Sequence, residues 1–364
     1  MSRAVDTRSD AVVIGGGPAG SAAAFALARA GLRVAVLERT AFDDRRIGEF
    51  VSPEIAGPLQ CMNVWTRFRA DAHLPVSGLV TCWGDDEPRV NDFLRSPFGV
   101  GWMVDRRRFD RLLLDAAADA GADTYLGARV RRCDREGHVW TVEGSQNDRT
   151  LRIRTRLVVD ATGRARGVRA GARAPTNRLT ACVCYVEEAR GRGGDRALPV
   201  LEATSDGWWF SASLPDGDRV VAFFTDADLL PPGRSSMSSR FWQLLEQTSL
   251  IREHLSRART RHTFHRCAAD AQWRADTGPA RIAVGDGLIA MDPLSGRGVC
   301  AALESGRLGA AALIASESDG EALDAWNTAQ RQRFANHLAE QTEHYQSERR
   351  WPTSPFWQRR HRPA

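Results

Sequence analysis

Residues 11–39 read AVVIGGGPAGSAAAFALARAGLRVAVLER. The apolar run Ala11–Ile14 predicts a short buried strand, and Gly15, Gly17 and Gly20 fit the spacing GxGxxG. Small residues from Ser21 to Ala30 predict a closely packed helix stopped at Gly31, and Leu32–Leu37 predicts a second strand closing on Glu38. A bare GxGxxG says little. Strand, glycine turn, helix, strand and an acid 18 residues past Gly20 together make a dinucleotide-binding unit. Glycine lets backbone approach a pyrophosphate, the helix N-terminus offers free N–H groups to its charge, and the acid accepts hydrogen bonds from a ribose.

Two later strands end in a similar way. Residues 158–163 read VVDATG, and residues 281–306 read RIAVGDGLIAMDPLSGRGVCAALESG. In the second, an apolar run meets Gly-Asp-Gly, and a further glycine pair opens a small-residue helix. GxGxxG with its acid, then DATG, then GDG, is the three-part pattern of an FAD-binding fold. Residues 105–123 predict an amphipathic helix with Phe109, Leu112, Leu113, Ala116, Ala117 and Ala120 as its stripe and Gly121 as its stop. Short strands are predicted at Tyr125–Arg131, 137–144 and Leu151–Val159. Residues 176–230 are strand-rich, with turn signals at Gly191-Arg-Gly-Gly and Pro215-Asp-Gly, and predict an antiparallel sheet. Residues 235–258 and the tail from Glu321 read as helical. The nucleotide-type segments lie on both sides of the antiparallel material. The expected fold is therefore α/β, with a Rossmann-type FAD-binding domain (1–60, 100–175 and 275–320) interleaved with an antiparallel β-sheet substrate domain (61–99 and 176–274). A C-terminal helical segment (321–364) completes it.

The net charge is +5, and the arginines are scattered among acids, which is not the footprint of a nucleic-acid groove. The seven cysteines contain no CxxC pair and read as reduced thiols; Cys182 and Cys184 fall on one face of a strand. His262 and His265 lack further ligands nearby, so no metal is expected. No apolar run approaches the ~18 residues that span a bilayer, and the first ten residues carry no apolar leader core. The expectation is a cytoplasmic protein with no membrane and no nucleic-acid partner.

These segments resemble the group A (p-hydroxybenzoate hydroxylase-type) FAD-dependent monooxygenase superfamily, in its tryptophan-halogenase-like and LodB-like branch. GDGLIAMDPLSGRGVCAALESG is similar to that branch's GDA, DPLSxxG and ALxSG segments. GWWFSASLP and the tail HYQSERRWPTSPFWQRR are similar to others, so the resemblance spans nearly the whole chain. It implies non-covalent FAD, with Gly15, Gly17, Ala19 and Gly20 at the pyrophosphate and Glu38 at the adenosine ribose, Arg39 beside it. Arg46 is a further cofactor contact, Arg106 of RxxFDxxL reaches phosphate or ribose, and Val130 meets adenine through its backbone. Ala161, Thr162 and Gly163 form the DATG turn, and Asp286 holds the ribityl chain. Pro293, Ser295, Gly296 and Gly298 bring a helix start to the flavin pyrimidine edge, where its N–H groups stabilise the charge of the reduced ring.

The chain also departs from the pattern. Flavin halogenases of this superfamily use a lysine to handle hypohalous acid and carry a WxWxIP strand. Here there is no lysine, and the matching strand has Phe210 at the second tryptophan and Ala212-Ser213 at Ile-Pro. A guanidinium stays protonated and has a different shape, so halogenation is disfavoured. What remains is a monooxygenase that hydroxylates an electron-rich aromatic ring through a flavin C4a-hydroperoxide. The resemblance points to indole or tryptophan, including a peptide- or protein-borne residue, as in quinone-cofactor maturation. The alternatives are a flavin dehydrogenase or reductase without oxygen insertion, and a non-catalytic flavoprotein that binds a precursor peptide. Trp208 and Phe210 alternate onto one sheet face and either wall the substrate or belong to the core. Glu49 is either the catalytic group that accepts a phenol or indole proton, or a partner of Arg45 or Arg46. There is no second nucleotide fingerprint, so electrons come from transiently docked NAD(P)H or from a separate flavin reductase.

Overall fold

The structure is a computed structural model that describes residues 5–93, 95–147, 149–164, 173–175, 178–187, 198–255, 259–274 and 278–361. The Gly191-Arg-Gly-Gly turn lies outside the described residues.

Ala11–Ile14, Pro18–Arg29 and Val34–Glu38 form the strand, helix and strand of the first unit. Every residue of both strands is buried, which is why they read as unbroken apolar runs. They belong to a five-stranded parallel sheet ordered Arg281–Ala283, Leu157–Asp160, Ala11–Ile14, Val34–Glu38, Asp123–Leu126. The register pairs Asp160 with both Ile14 and Ala283. The GxGxxG, DATG and GDG turns therefore leave the sheet at one carboxyl edge, where parallel sheets bind ligands.

Two predicted strands are each split between sheets. Arg149–Thr155 pairs with Val139–Gln146 in a separate four-stranded sheet, and past Arg156 the chain enters the parallel sheet as Leu157–Asp160. The break coincides with a change from alternating burial to continuous burial. Likewise Asp123–Leu126 and Arg129–Glu136 are separate, with Gly127 at φ 72° between them.

The large sheet has seven strands in the order Arg259–Ala268, Leu179–Glu187, Asp218–Asp226, Gly207–Ser213, Val200–Thr204, Gly78–Cys82, Arg89–Asp92. Its neighbours are antiparallel except Val200–Thr204 with Gly78–Cys82, which run parallel. One face buries Cys182, Cys184, Trp209 and Phe223 against Phe241 and Leu245 of the Arg234–Leu245 helix. The other carries Tyr185, Trp208 and Phe224 and is partly covered by Tyr345, Phe356 and Trp357 of the tail. The tail helices are Ala322–Ser347 and Pro355–His361. Met62, Val64 and Phe68, grouped by sequence with this sheet, pack instead with Phe109, Leu113 and Leu303. The Gly298–Ala315 helix is long and apolar enough to cross a bilayer. It lies against Pro18–Arg29 so closely that a Cβ on Gly306 would come within 2.1 Å of the Ala19 carbonyl oxygen.

Candidate active site

The three turns touch one another. Gly15 has φ 107°, and a Cβ there would lie 2.3 Å from the Ala161 carbonyl oxygen, so this contact requires glycine. Asp160 shapes the second turn by accepting from the Thr162 N–H at 3.1 Å and the Thr162 hydroxyl at 2.7 Å. The third turn meets the first at Ala19, whose Cβ would be 2.6 Å from a Cβ on Gly285.

Gly17 and Gly298 differ from these. A Cβ on Gly17 would meet only Arg46 Nη1, at 3.9 Å, and one on Gly298 would meet nothing within 4 Å. The protein's own packing does not need glycine at either place. Both stand at the starts of helices, Pro18–Arg29 and Gly298–Ala315, that have no side-chain cap. Open space beside free N–H groups fits a pyrophosphate at the first helix and an electron-rich ring edge at the second. The residues present thus fit FAD. Gly298→Val is expected to lose most bound flavin while keeping the wild-type circular dichroism spectrum. Full flavin absorbance per chain in that variant would show that the space serves something else.

Glu38 is buried and accepts from the Gly16 N–H at 2.8 Å, the Thr40 N–H at 3.0 Å and the Thr40 hydroxyl at 2.6 Å. Burial pushes its carboxyl up, but the Thr40 hydroxyl, the Gly16 N–H and Arg46 outweigh it and hold the group below its ordinary range. Arg46 bridges Glu38 and the fully buried Asp110, each at 3.0 Å. Asp110 in turn grips Arg106 through two bonds of 2.9 and 3.0 Å. Arg106 also donates to the carbonyls of Ile47 and Gly48. A chain of charge therefore runs from Glu38 to the strap that carries Glu49. Arg39 is exposed, one residue past the Val34–Glu38 strand. Val130 is half-buried at a bulge, two residues past Ala128, whose N–H donates to the Glu38 carbonyl.

Asp286 keeps 36 % of its side chain exposed and pairs with Arg164 at 3.3 Å. Arg164 also donates to the carbonyls of Asp270 and Met291, tying the DATG turn to the segment that follows GDG. At the start of the Pro293–Ser295 turn, Asp292 accepts from the Leu294 N–H at 2.9 Å and from the Tyr345 hydroxyl at 3.1 Å. Gly296 takes φ 61°, and the Phe50 ring lies 3.1 Å from where its Cβ would be.

Glu49 has neither of the arginine partners that the sequence suggested. Arg45 binds Asp216 and Asp218, and Arg46 is engaged as above. Glu49 is 8 % exposed; its Oε1 accepts from the Tyr185 hydroxyl at 2.6 Å and its Oε2 from the Gly48 N–H at 2.9 Å. Burial pushes its carboxyl up, against the pull of the Tyr185 hydroxyl, the Gly48 N–H and the Arg106 charge. It lines an open cleft with Arg45, Arg46, Arg106, Leu214 and Pro215.

Trp208 and Phe210 do share a face, but only Phe210 is half-buried. Trp208 is 1 % exposed, stacks on Phe224 at 3.8 Å and donates to the Tyr345 hydroxyl at 3.0 Å. The tail encloses it, so it offers a ligand no surface here. The half-buried rings near the strap are Phe210, Phe50 and Phe93, with 6.4 Å between Phe50 and each of the others. His265 is exposed and meets the Tyr185 ring edge-on, while the His262 side chain lies outside the described residues. Among the described residues no group of three His, Cys, Asp or Glu could hold a metal ion.

A parallel sheet with these three turns at one edge defines an FAD-binding oxidoreductase, and comparison with known proteins agrees. The family model for FAD-dependent oxidoreductases matches residues 10–178. The chain is 30 % identical to the FAD-dependent oxidoreductase LodB of Marinomonas mediterranea, over 97 % of this chain and 96 % of that protein. It is 25 % identical to the tryptophan 2-halogenase of Chondromyces crocatus, over 85 % of this chain and 62 % of the halogenase. Among solved structures, the myxobacterial chondrochloren halogenase CndH shares the fold with a TM-score of 0.87 at 24 % identity, covering 97 % of this chain and 86 % of that one. The peptidyl tryptophan dihydroxylase QhpG, essential for tryptophylquinone cofactor biogenesis, matches with a TM-score of 0.79 at 26 % identity, covering 97 % and 79 %. The chain belongs to the FAD-dependent oxidoreductase family that includes LodB.

Proposed function

We propose that the protein is an FAD-dependent monooxygenase that hydroxylates an electron-rich aromatic ring, with the indole of a peptide- or protein-borne tryptophan as its substrate class. The observation that carries this reading is the cleft beside the FAD cradle. Of the ionisable groups that line it, Glu49 is the buried one, a carboxyl held by a phenol, in a chain with no lysine to place an ammonium there. The similarity to QhpG, a peptidyl tryptophan dihydroxylase, supports the same reading.

Reduced FAD, when bound, supplies electrons and activates oxygen. This chain's residues do the remaining work. Phe50, Phe93 and Phe210 present flat apolar surface that orients an aromatic ring. Glu49 takes the N–H or O–H proton of that ring as its carbon gains oxygen. The Arg45–Asp216 and Arg45–Asp218 pairs hold the Leu214–Gly217 turn against the cleft it lines. One oxygen atom of O₂ enters the ring and the other leaves as water, with two electrons from NAD(P)H or from a partner flavin reductase.

Halogenation is the second reading, favoured by the halogenases among the relatives. A single incubation separates the two. With reduced FAD, an indole-bearing peptide, bromide and ¹⁸O₂, the product is expected to gain one labelled oxygen and no bromine isotope doublet. Unlabelled product would remove the monooxygenase reading, and an enzyme-dependent doublet would replace it with halogenation.

A further inference from the structure

The Leu179–Glu187 strand is apolar along most of its length, and its register puts Tyr185 opposite Val220. Leu179, Ala181, Val183 and Tyr185 belong to the cluster on the site side of the sheet, while Cys182, Cys184 and Val186 belong to the helix side. Tyr185 is 3 % exposed, and its hydroxyl meets Glu49 Oε1 at 2.6 Å. The Arg45 guanidinium lies over its ring, 4.8 Å from the centroid. The other Glu49 oxygen has the Gly48 N–H, and the Glu49 carbonyl accepts from the Val104 N–H. Carboxyl and phenol are thus fixed from both sides before any ligand arrives.

We propose that Tyr185 is a positioning residue that acts through Glu49: its hydroxyl holds Oε1, fixes the plane of the carboxyl and leaves the remaining lone pairs of the group to face the cleft. The proposal rests on the reading of Glu49 as the proton acceptor. A phenol suits this task in a buried place. It donates one hydrogen bond to the carboxylate without bringing a full charge that would block proton uptake. It also does not compete as a base, because burial and the neighbouring Glu49 push the phenol well above its ordinary range. The charged and titratable groups around the pair are Arg106 on the Arg106–Asp119 helix, Arg45 on the strap, and Cys267 with His265 on the Arg259–Ala268 strand. Arg106 also senses Asp286, and Cys267 senses Arg164. None of these is placed to replace the Tyr185 hydroxyl at Oε1. With that donor gone the carboxylate loses a stabilising bond, so its protonation midpoint moves up.

The test is an infrared titration of the FAD-loaded enzyme, in which Glu49→Gln identifies the Glu49 carboxyl band by removing it. In Tyr185→Phe the midpoint of that band is expected to rise by about 1–2 pH units, the size expected for one hydrogen bond to a charged group. Fluorotyrosine at position 185 keeps the shape and donates more strongly, so it should move the midpoint down. Turnover of an indole-bearing peptide is then compared across the two single variants and the double variant. Tyr185→Phe should add no further loss in the Glu49→Gln background, since it acts through Glu49. An unmoved midpoint in both Tyr185 variants, or an additive loss in the double variant, overturns the proposal. If Glu49→Gln turns over like wild type while the midpoint still moves, the proton-acceptor reading fails and the coupling of Tyr185 to Glu49 stands.

Discussion

Glu49→Gln is expected to lower kcat for indole hydroxylation by about 10²–10⁴-fold, the usual worth of a positioned acid–base group. The amide keeps the shape, and its oxygen still accepts from the Tyr185 hydroxyl, so the strap should stay in place. What it loses is the ability to take a proton. FAD loading should remain at the wild-type level, because the residues proposed to hold the cofactor are others: Gly17, Glu38, Arg46 and Asp286. Oxygen consumption should continue and become uncoupled from product. The pH dependence gives a second readout. Burial raises the Glu49 carboxyl, and the group must be ionised to accept a proton. Wild-type product formation should therefore rise with pH through a midpoint above the ordinary glutamate range, and that limb should vanish in Glu49→Gln. Unchanged kcat in the variant would remove Glu49 from the chemistry, and an unshifted acid limb would move the base elsewhere.

The cofactor half of the site was legible because its residues obey backbone geometry. Gly15 must be glycine to let Ala161 approach, and such constraints leave a spacing that can be read in one dimension. Arg164 and Asp110 were within reach of the same reading. Arg164 directly follows DATG, and Asp110 stands four residues after Arg106, one helical turn along. The substrate half was less legible, since it depends on which end of a buried sheet each aromatic occupies. Trp208 and Phe210 have the same parity and the same face, yet the tail covers one and leaves the other half-open. No periodicity in the strand contains that information; it comes from Tyr345, 137 residues later. Tyr185 was invisible for a related reason. It lies within a strand covered on both faces, where an aromatic residue reads as core. The split at Arg156 could have been seen, because alternation stops there and a continuous apolar run begins.

Asp286→Ala should weaken FAD binding about 10–150-fold, the equivalent of about 1.5–3 kcal/mol for hydrogen bonds to a charged acceptor. The carboxylate stands at the carboxyl edge of the sheet, just past the Arg281–Ala283 strand, on the turn that meets Ala19 of the glycine loop. Its side chain is partly open, and an ionised carboxylate only accepts, which suits the hydroxyls of a ribityl chain. The loss should fall on binding more than on folding. Arg164 gives up one partner but keeps the carbonyls of Asp270 and Met291, and the exposed part of the site lets water reach its freed N–H. Asp286→Asn retains one acceptor oxygen and should fall between the alanine variant and wild type. Titrating apo-protein with FAD by flavin fluorescence, alongside thermal unfolding of the same samples, separates affinity from stability. Equal FAD affinity in wild type and Asp286→Ala would mean that the GDG turn faces something other than the cofactor. A large drop in melting temperature for apo-protein would mean that the Asp286–Arg164 pair is holding the turn rather than the ligand.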